Sequence, residues 1–186
     1  ANGGNIYGLT LGDMVWDRYW VDNQYSFPEY IEEMKPLTGL PFFHTPGNHD
    51  HDLWESGDFA TMAKYKQNIG PSYYSYNLGK VHGVVLDDID CANPGTGKNA
   101  TYTNNLVQEQ LDWLKKDLSH VSKDTPIIVS MHAQMFANPG TGQTPNYAMT
   151  ASSASQLEDI LDDFTTVHIF TGHTHKMYNV DRTLTK

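Results

Sequence analysis

The sequence predicts an α/β domain with mixed sheets, on three observations. Five short apolar runs are spread along the chain, helical patterns lie between them, and one segment reads as strand, turn and returning strand. The 186 residues fit a single domain, 1–186, which can bury a core without disulfide staples.

Taken in order, the runs are "NIYGLTLG" (5–12), "LPFFHT" (40–45), "VHGVVLD" (81–87), "TPIIVSM" (125–131) and "VHIFTG" (167–172), each of strand length. The clearest helix is "NNLVQEQLDWLKKDL". Val107, Leu111, Leu114 and Leu118 recur at helical spacing, Asn105 with Gln108 suits an N-terminal cap, and Lys115 and Lys116 favour the far end. Further helices are predicted near 27–35, 58–68 and 154–164, the last with Leu157, Ile160, Leu161 and Phe164 on one face. "PSYYSYNLGKVHGVVLDD" breaks the alternation as a hairpin turned at Leu78-Gly79-Lys80, so the sheets are mixed. The polar stretches 91–103 and 133–151 are long for simple connections, and such loops often border binding sites.

Composition excludes some partners. Twelve Lys and Arg face 22 Asp and Glu, a net charge of -10, which argues against coating nucleic acid or a polyanionic membrane. An anionic small substrate would be repelled as well, unless bound cations invert the local field. No apolar run is long enough to span a bilayer. Cys91 is the single cysteine and reads as a packed small side chain. "NPGTG" at 93–97 and 138–142 reads as two Pro-Gly turns, because Ala92 and Asn99 spoil a phosphate-loop pattern around Lys98. Asn99-Ala100-Thr101 is a glycosylation triplet of a kind common by chance.

Chemistry gathers at the strand ends. The first run ends in Gly12-Asp13, the second is followed by Gly47-Asn48-His49-Asp50, the fourth by His132, and the fifth ends before His173-Thr174-His175. In an open α/β sheet the carboxyl ends of strands converge on one crevice, so these groups can share a site. A carboxylate, an amide oxygen and several imidazoles form an O/N set suited to Mn, Fe, Zn or similar ions.

Those blocks, "GD", "GNHD", "MH" and "GHTH" in that order, resemble the calcineurin-like metallophosphoesterases over nearly the whole chain. The resemblance implies a four-layer αββα sandwich of two mixed β-sheets, with up to two divalent metal ions at the strand ends. It makes Asp13 the bridge between two metals, Asn48, His132 and His173 the remaining ligands of one ion, and His175 a ligand of the other. His49 would face a phosphorylated substrate and assist the leaving group, and Asp50 would orient the His49 imidazole. The implied reaction is hydrolysis of a phosphate monoester or diester by a metal-activated hydroxide. By resemblance alone the protein would be bacterial and exported or periplasmic.

Two departures stand out. The family's D-x-H block is absent, since only eleven residues precede Gly12 and none is Asp or His. Either the natural chain extends upstream and this is a fragment, lacking the first strand and further residues after "YNVDRTLTK", or the protein is a degenerate, non-catalytic metal-binding or interaction module. A missing strand would open a sheet edge to strand exchange or dimerisation. The second departure is Trp16, where G-D-x-x-D expects Asp; the displaced Arg18 could reach a substrate phosphate or form a surface ion pair. His44, His51 and Asp52 read as solvated or locally hydrogen-bonded, His82, His120 and His168 as structural, and Asp87, Asp88 and Asp90 as loop hydrogen-bonding groups. Trp16, Trp54 and Tyr147 read as core or rim aromatics.

Overall fold

A computed structural model of the chain describes residues 5–16, 25–55, 57–91, 101–137, 147–177 and 179. The first two apolar runs are paired over only two residues each, β1 (Gly8–Leu9) and β2 (Phe42–Phe43), which lie parallel. Between them runs α1 (Phe27–Met34), entered through a capping box of Ser26 and Glu29. A single-turn helix over Asn48–Asp50 follows β2. The helix expected over 58–68 is two pieces, α2 (Asp58–Thr61) and α3 (Ala63–Asn68), broken at Met62.

The hairpin is present as β3 (Tyr74–Leu78) and β4 (Val81–Val85), turned at Gly79. Two further short strands, β5 (Ile89–Asp90) and β6 (Thr103–Asn104), pair antiparallel within what the sequence presents as polar loop. Then come α4 (Gln108–Leu118), β7 (Ile127–Ser130), α5 (Ala151–Leu161) and β8 (Val167–Phe170). The main sheet has order β3-β4-β7-β8, antiparallel at the hairpin and parallel elsewhere, so it is mixed.

Two helix starts differ from the sequence reading. Asn105 does not cap α4; its amide donates to Asp90 and its carbonyl oxygen accepts from Thr150, and the helix begins after Val107. Thr150 caps α5 by accepting from the Ser153 N–H, which starts that helix three residues earlier than its apolar stripe suggests.

Strand alternation sorts the sheet faces. Val84, Ile127 and Val129 point to one side and bury against Leu111, Leu114 and Leu118 of α4 and Leu157, Ile160 and Leu161 of α5. On the other side Tyr76 stacks on Phe43 of β2, ring centroids 3.6 Å apart and 10° from parallel, which docks the β1–β2 pair onto the main sheet. Helices α1 and α3 cover that pair: Phe27 and Tyr65 pack edge to face, and the Tyr65 hydroxyl donates to the His44 carbonyl. The result is the predicted helix, sheet, sheet, helix layering. Because β1, β2, β7 and β8 run in matched directions within their sheets, Asp13, Asn48, His132 and His173 leave strands at one end of the molecule.

Candidate metal centre

At that end the His132 imidazole sits almost wholly buried. Its Nδ1–H donates to the Leu11 carbonyl at 2.6 Å, which turns Nε2 toward the crevice. Around Nε2 lie Asn48 Oδ1 at 3.0 Å, His173 Nδ1 at 3.1 Å and Asp13 Oδ2 at 3.2 Å. The Asp13, His132 and His173 ligand atoms all fall within 4.8 Å of one another. Oxygen and nitrogen lone pairs thus converge on one point inside the protein, which is unfavourable unless a proton or a cation stands among them. The donor set fits a first-row divalent ion, and the second nitrogen of His132 is already held by a carbonyl, as metal-ligating imidazoles usually are.

Backbone geometry agrees. Among the described residues, the non-glycine residues with positive φ are Asp13 (58°), His173 (63°) and His175 (52°), all of them sequence-predicted ligands. Such conformations cost free energy and concentrate where function requires them. Close packing holds Asp13 further: a Cβ on Gly47 would stand 2.5 Å from both the backbone nitrogen and Oδ1 of Asp13. Gly47→Ala should therefore displace the Asp13 carboxylate, destabilise the fold by roughly 1–3 kcal/mol and weaken divalent-ion binding, read by calorimetric titration of the variant against the parent.

The charges are coupled. Burial alone would raise the Asp13 carboxyl, but the hydrogen bond and charge of His132, with the His49 N–H, hold it below the usual carboxylate range. Burial would lower His132, yet Asp13 and Asp88 raise it. His173 is pushed down to about 4 by burial and by His132, against the opposing pull of Asp13, so at neutral pH it presents a lone pair.

Asp50 departs from its expected role. Instead of orienting the His49 ring, its buried carboxylate accepts from three backbone N–H groups: Asp13 at 2.8 Å, Gly47 at 2.8 Å and Val15 at 3.0 Å. It clamps the "GD" and "GNHD" turns together. His49 sends its own N–H to Asp13 Oδ1 at 3.0 Å, and its ring stacks on Trp16 with centroids 4.2 Å apart. Asp88, read from sequence as a loop acid, is fully buried and accepts from the backbone N–H groups of His132 at 2.9 Å and Ala133 at 2.7 Å. The signal for it was two acids directly after a buried apolar strand, where water cannot serve them.

His175 is exposed on the rim of a cleft of about 220 Å³ that Asp13, His132 and His173 also line. It is outside the tight cluster. Tyr147 approaches the His173 ring at 5.2 Å and Tyr102 at 6.4 Å, so aromatic edges flank the centre. Arg18 lies outside the described residues.

A sequence model described as calcineurin-like phosphoesterase matches residues 4–177. The chain belongs to the calcineurin-like phosphoesterase family. Purple acid phosphatase 15 of Arabidopsis thaliana is 28% identical over 198 residues, covering 90% of this chain and 34% of the relative. Purple acid phosphatase 13 of the same plant is 24% identical over 163 residues, covering 78% of this chain and 27% of that relative. The chain therefore spans about a third of the length of the curated relatives it matches. Both are plant proteins and lend no support to a bacterial origin. Among the described residues no helix is long and apolar enough to cross a membrane.

Burial gives this calcineurin-like phosphoesterase a testable pH response. Asp50 and Asp88 are both pushed up to about 7, chiefly by burial and against the N–H groups they accept from. Unfolded, they would titrate near 3.8, so between about pH 4 and pH 7 the folded chain holds protons the unfolded chain releases. Their stabilising contribution is complete below that window and is lost as pH climbs through it. His173 and His44 oppose this, since depressed imidazoles cost stability as pH falls below 6.5, whereas Asp58, His51 and His132 are raised and act in the same direction as Asp50 and Asp88. Chelator-treated protein should show a lower denaturation midpoint at pH 7 than at pH 4.5, measured by urea titration.

Proposed function

We propose that this domain binds a divalent cation through Asp13, Asn48, His132 and His173 and hydrolyses phosphate esters. The observation that supports this most is the convergence of those four side chains' oxygen and nitrogen atoms about His132 Nε2, two of the four residues holding positive φ to reach it. A cation bound there would supply Lewis-acid activation of water and neutralise charge on the phosphoryl oxygens.

The chain's own residues supply the rest. Asp50 and Asp88 hold the ligand-bearing loops without touching the cleft themselves, so their carboxylates do not compete for the cation. His49 is half-buried, stacked on Trp16 and tied by its N–H to Asp13, which places an imidazole beside the ligands where it can give a proton to a departing ester oxygen. The Trp16 ring sits 44% exposed at the same edge and restricts how far His49 can swing. A second cation would fall to Asp13 and the exposed His175, a sparse set for a firm site.

His49→Gln should lower kcat on a chromogenic phosphate monoester by roughly 10²-fold or more, in the range ascribed to general acids, while metal content stays at the parental value. Loss of metal in that variant would assign His49 to the ligands instead. The specific observation favouring a second reading, a non-catalytic metal-binding module, is Trp16 standing where the family pattern places a carboxylate. Loaded protein that binds Mn²⁺ or Zn²⁺ stoichiometrically yet leaves both a nitrophenyl monoester and the paired diester intact would establish that module; turnover of either ester supports the hydrolase.

A further inference from the structure

The turn that carries Asn48 and His49 continues into His51, which faces a different set of partners. His51 is fully buried, and its Nε2 lies 3.2 Å from Asp87 Oδ1. Asp87 is itself fixed by Gln110, which accepts from the Asp87 N–H at 2.8 Å and donates to the Asp87 carbonyl at 2.6 Å. Burial would lower His51, but the Asp87 carboxylate at Nε2 raises it well above its ordinary value, so Nδ1, on the other side of the ring, carries a proton that a cation could replace. There it meets Cys91 Sγ at 3.5 Å and Thr61 Oγ1 at 3.0 Å.

The Thr61 hydroxyl donates its proton to the Asp58 carbonyl at 2.7 Å, so toward Nδ1 it offers only an oxygen lone pair. The Asp58 carboxylate approaches from the same side, positioned by the Cys91 N–H at 2.9 Å. One nitrogen, one sulfur and one carboxylate oxygen, from His51, Cys91 and Asp58, all lie within 4.8 Å of one another. A carboxylate behind an imidazole, with soft and hard ligands in front, is the arrangement by which proteins hold thiophilic divalent ions. A thiol–imidazole–carboxylate nucleophile would need substrate to reach sulfur, and Cys91 and His51 have no exposed surface. Only half-buried Asp58 opens toward solvent, which admits an ion but not a substrate.

We propose that His51, Asp58 and Cys91 form a second cation site, for Zn²⁺ or a similar thiophilic divalent ion, separate from the centre at His132. Binding replaces the thiol proton on Cys91 and, where His51 carries one, the proton on Nδ1, so protons are released as the ion enters. The site has a structural consequence: it would stiffen the turn from Gly47 to His51 from behind, while Asp88, next to Asp87, steadies His132 in front. This inference is independent of whether the domain turns over phosphate esters.

The test is Co²⁺ titration of the chelator-treated protein, followed by near-ultraviolet absorption. The parent should develop an intense thiolate-to-cobalt charge-transfer band, which saturates at one equivalent once the His132 centre is disabled. His173→Ala, which disrupts the other centre, should keep the band, and Cys91→Ser should lose it. Should Cys91→Ser prove poorly folded, Asp58→Asn keeps the sulfur and should weaken Co²⁺ binding at this band by at least tenfold. Cobalt bound without the band in the parent, a band that survives Cys91→Ser, or an unchanged affinity in Asp58→Asn would each overturn the proposal and leave His51 held by a proton.

Discussion

Asp13→Asn and His173→Ala should each strip the domain of its cation and reduce turnover far below the parental rate. Outer partners of metal ligands are worth about 10- to 100-fold in affinity or activity when removed, so loss of a ligand should exceed ~100-fold. Asp13 offers Oδ2 to the centre and Oδ1 to the His49 N–H. The Asn variant keeps the shape and can keep one of those contacts, but it gives up the charge that offsets a divalent ion. His173→Ala removes a nitrogen that burial keeps unprotonated, while alanine keeps the β-carbon and so leaves the strain of the positive φ in place. The His173 variant should stay folded without metal, with no gain in stability, yet bind none. Metal content by elemental analysis, beside denaturation midpoints with and without chelator, separates a lost ligand from a lost fold. Parental turnover in either variant would refute the assignment.

Asp50→Ala should produce the largest loss of stability. Three backbone N–H groups depend on that carboxylate, and two of them, on Val15 and Gly47, belong to buried residues. An orphaned buried donor costs about 1–3 kcal/mol, so the two buried donors alone should cost the variant roughly 2–6 kcal/mol, while water can serve the Asp13 N–H. Asp50→Asn should recover part of this, since an amide oxygen can still accept, whereas its NH₂ group would face another donor. A role limited to orienting the His49 ring would lower kcat and leave the denaturation midpoint unchanged, so urea titration of both variants distinguishes the clamp from the orienter.

The candidate ligands were legible because each follows a buried strand, and parallel strands deliver their ends to one place. Strand order brings Asp13, Asn48, His132 and His173 to one crevice with their neighbours, although they are separated by up to 160 residues, and the family resemblance singles out these four. What each carboxylate does was less legible. Asp50 sits beside His49 in sequence, which suggests an imidazole partner; only the approach of the two turns shows that its oxygens are consumed by backbone N–H groups. Likewise Asn105 has the spacing of a cap, but Asp90 and Thr150 claim its side chain in space.

Strand lengths were overestimated where apolar residues serve packing between layers and not ladder pairing. Phe43 is the example: its ring stacks on Tyr76 of the other sheet, while β2 itself pairs over two residues. The β5–β6 pair left no trace, because "ID" and "TN" carry no alternation long enough to read. His51 gave a warning in sequence as one of five consecutive polar side chains from Asn48 to Asp52. Its partners Asp58, Asp87 and Cys91 are too scattered for any spacing rule to collect.

Anomalous diffraction from crystals grown with Mn²⁺ would locate the cation. A peak is expected about 2.0–2.3 Å from the Asp13, Asn48, His132 and His173 ligand atoms, the range typical of nitrogen and oxygen ligands to such ions. A protein that takes up Mn²⁺ stoichiometrically with no peak among those four residues would contradict this ligand assignment.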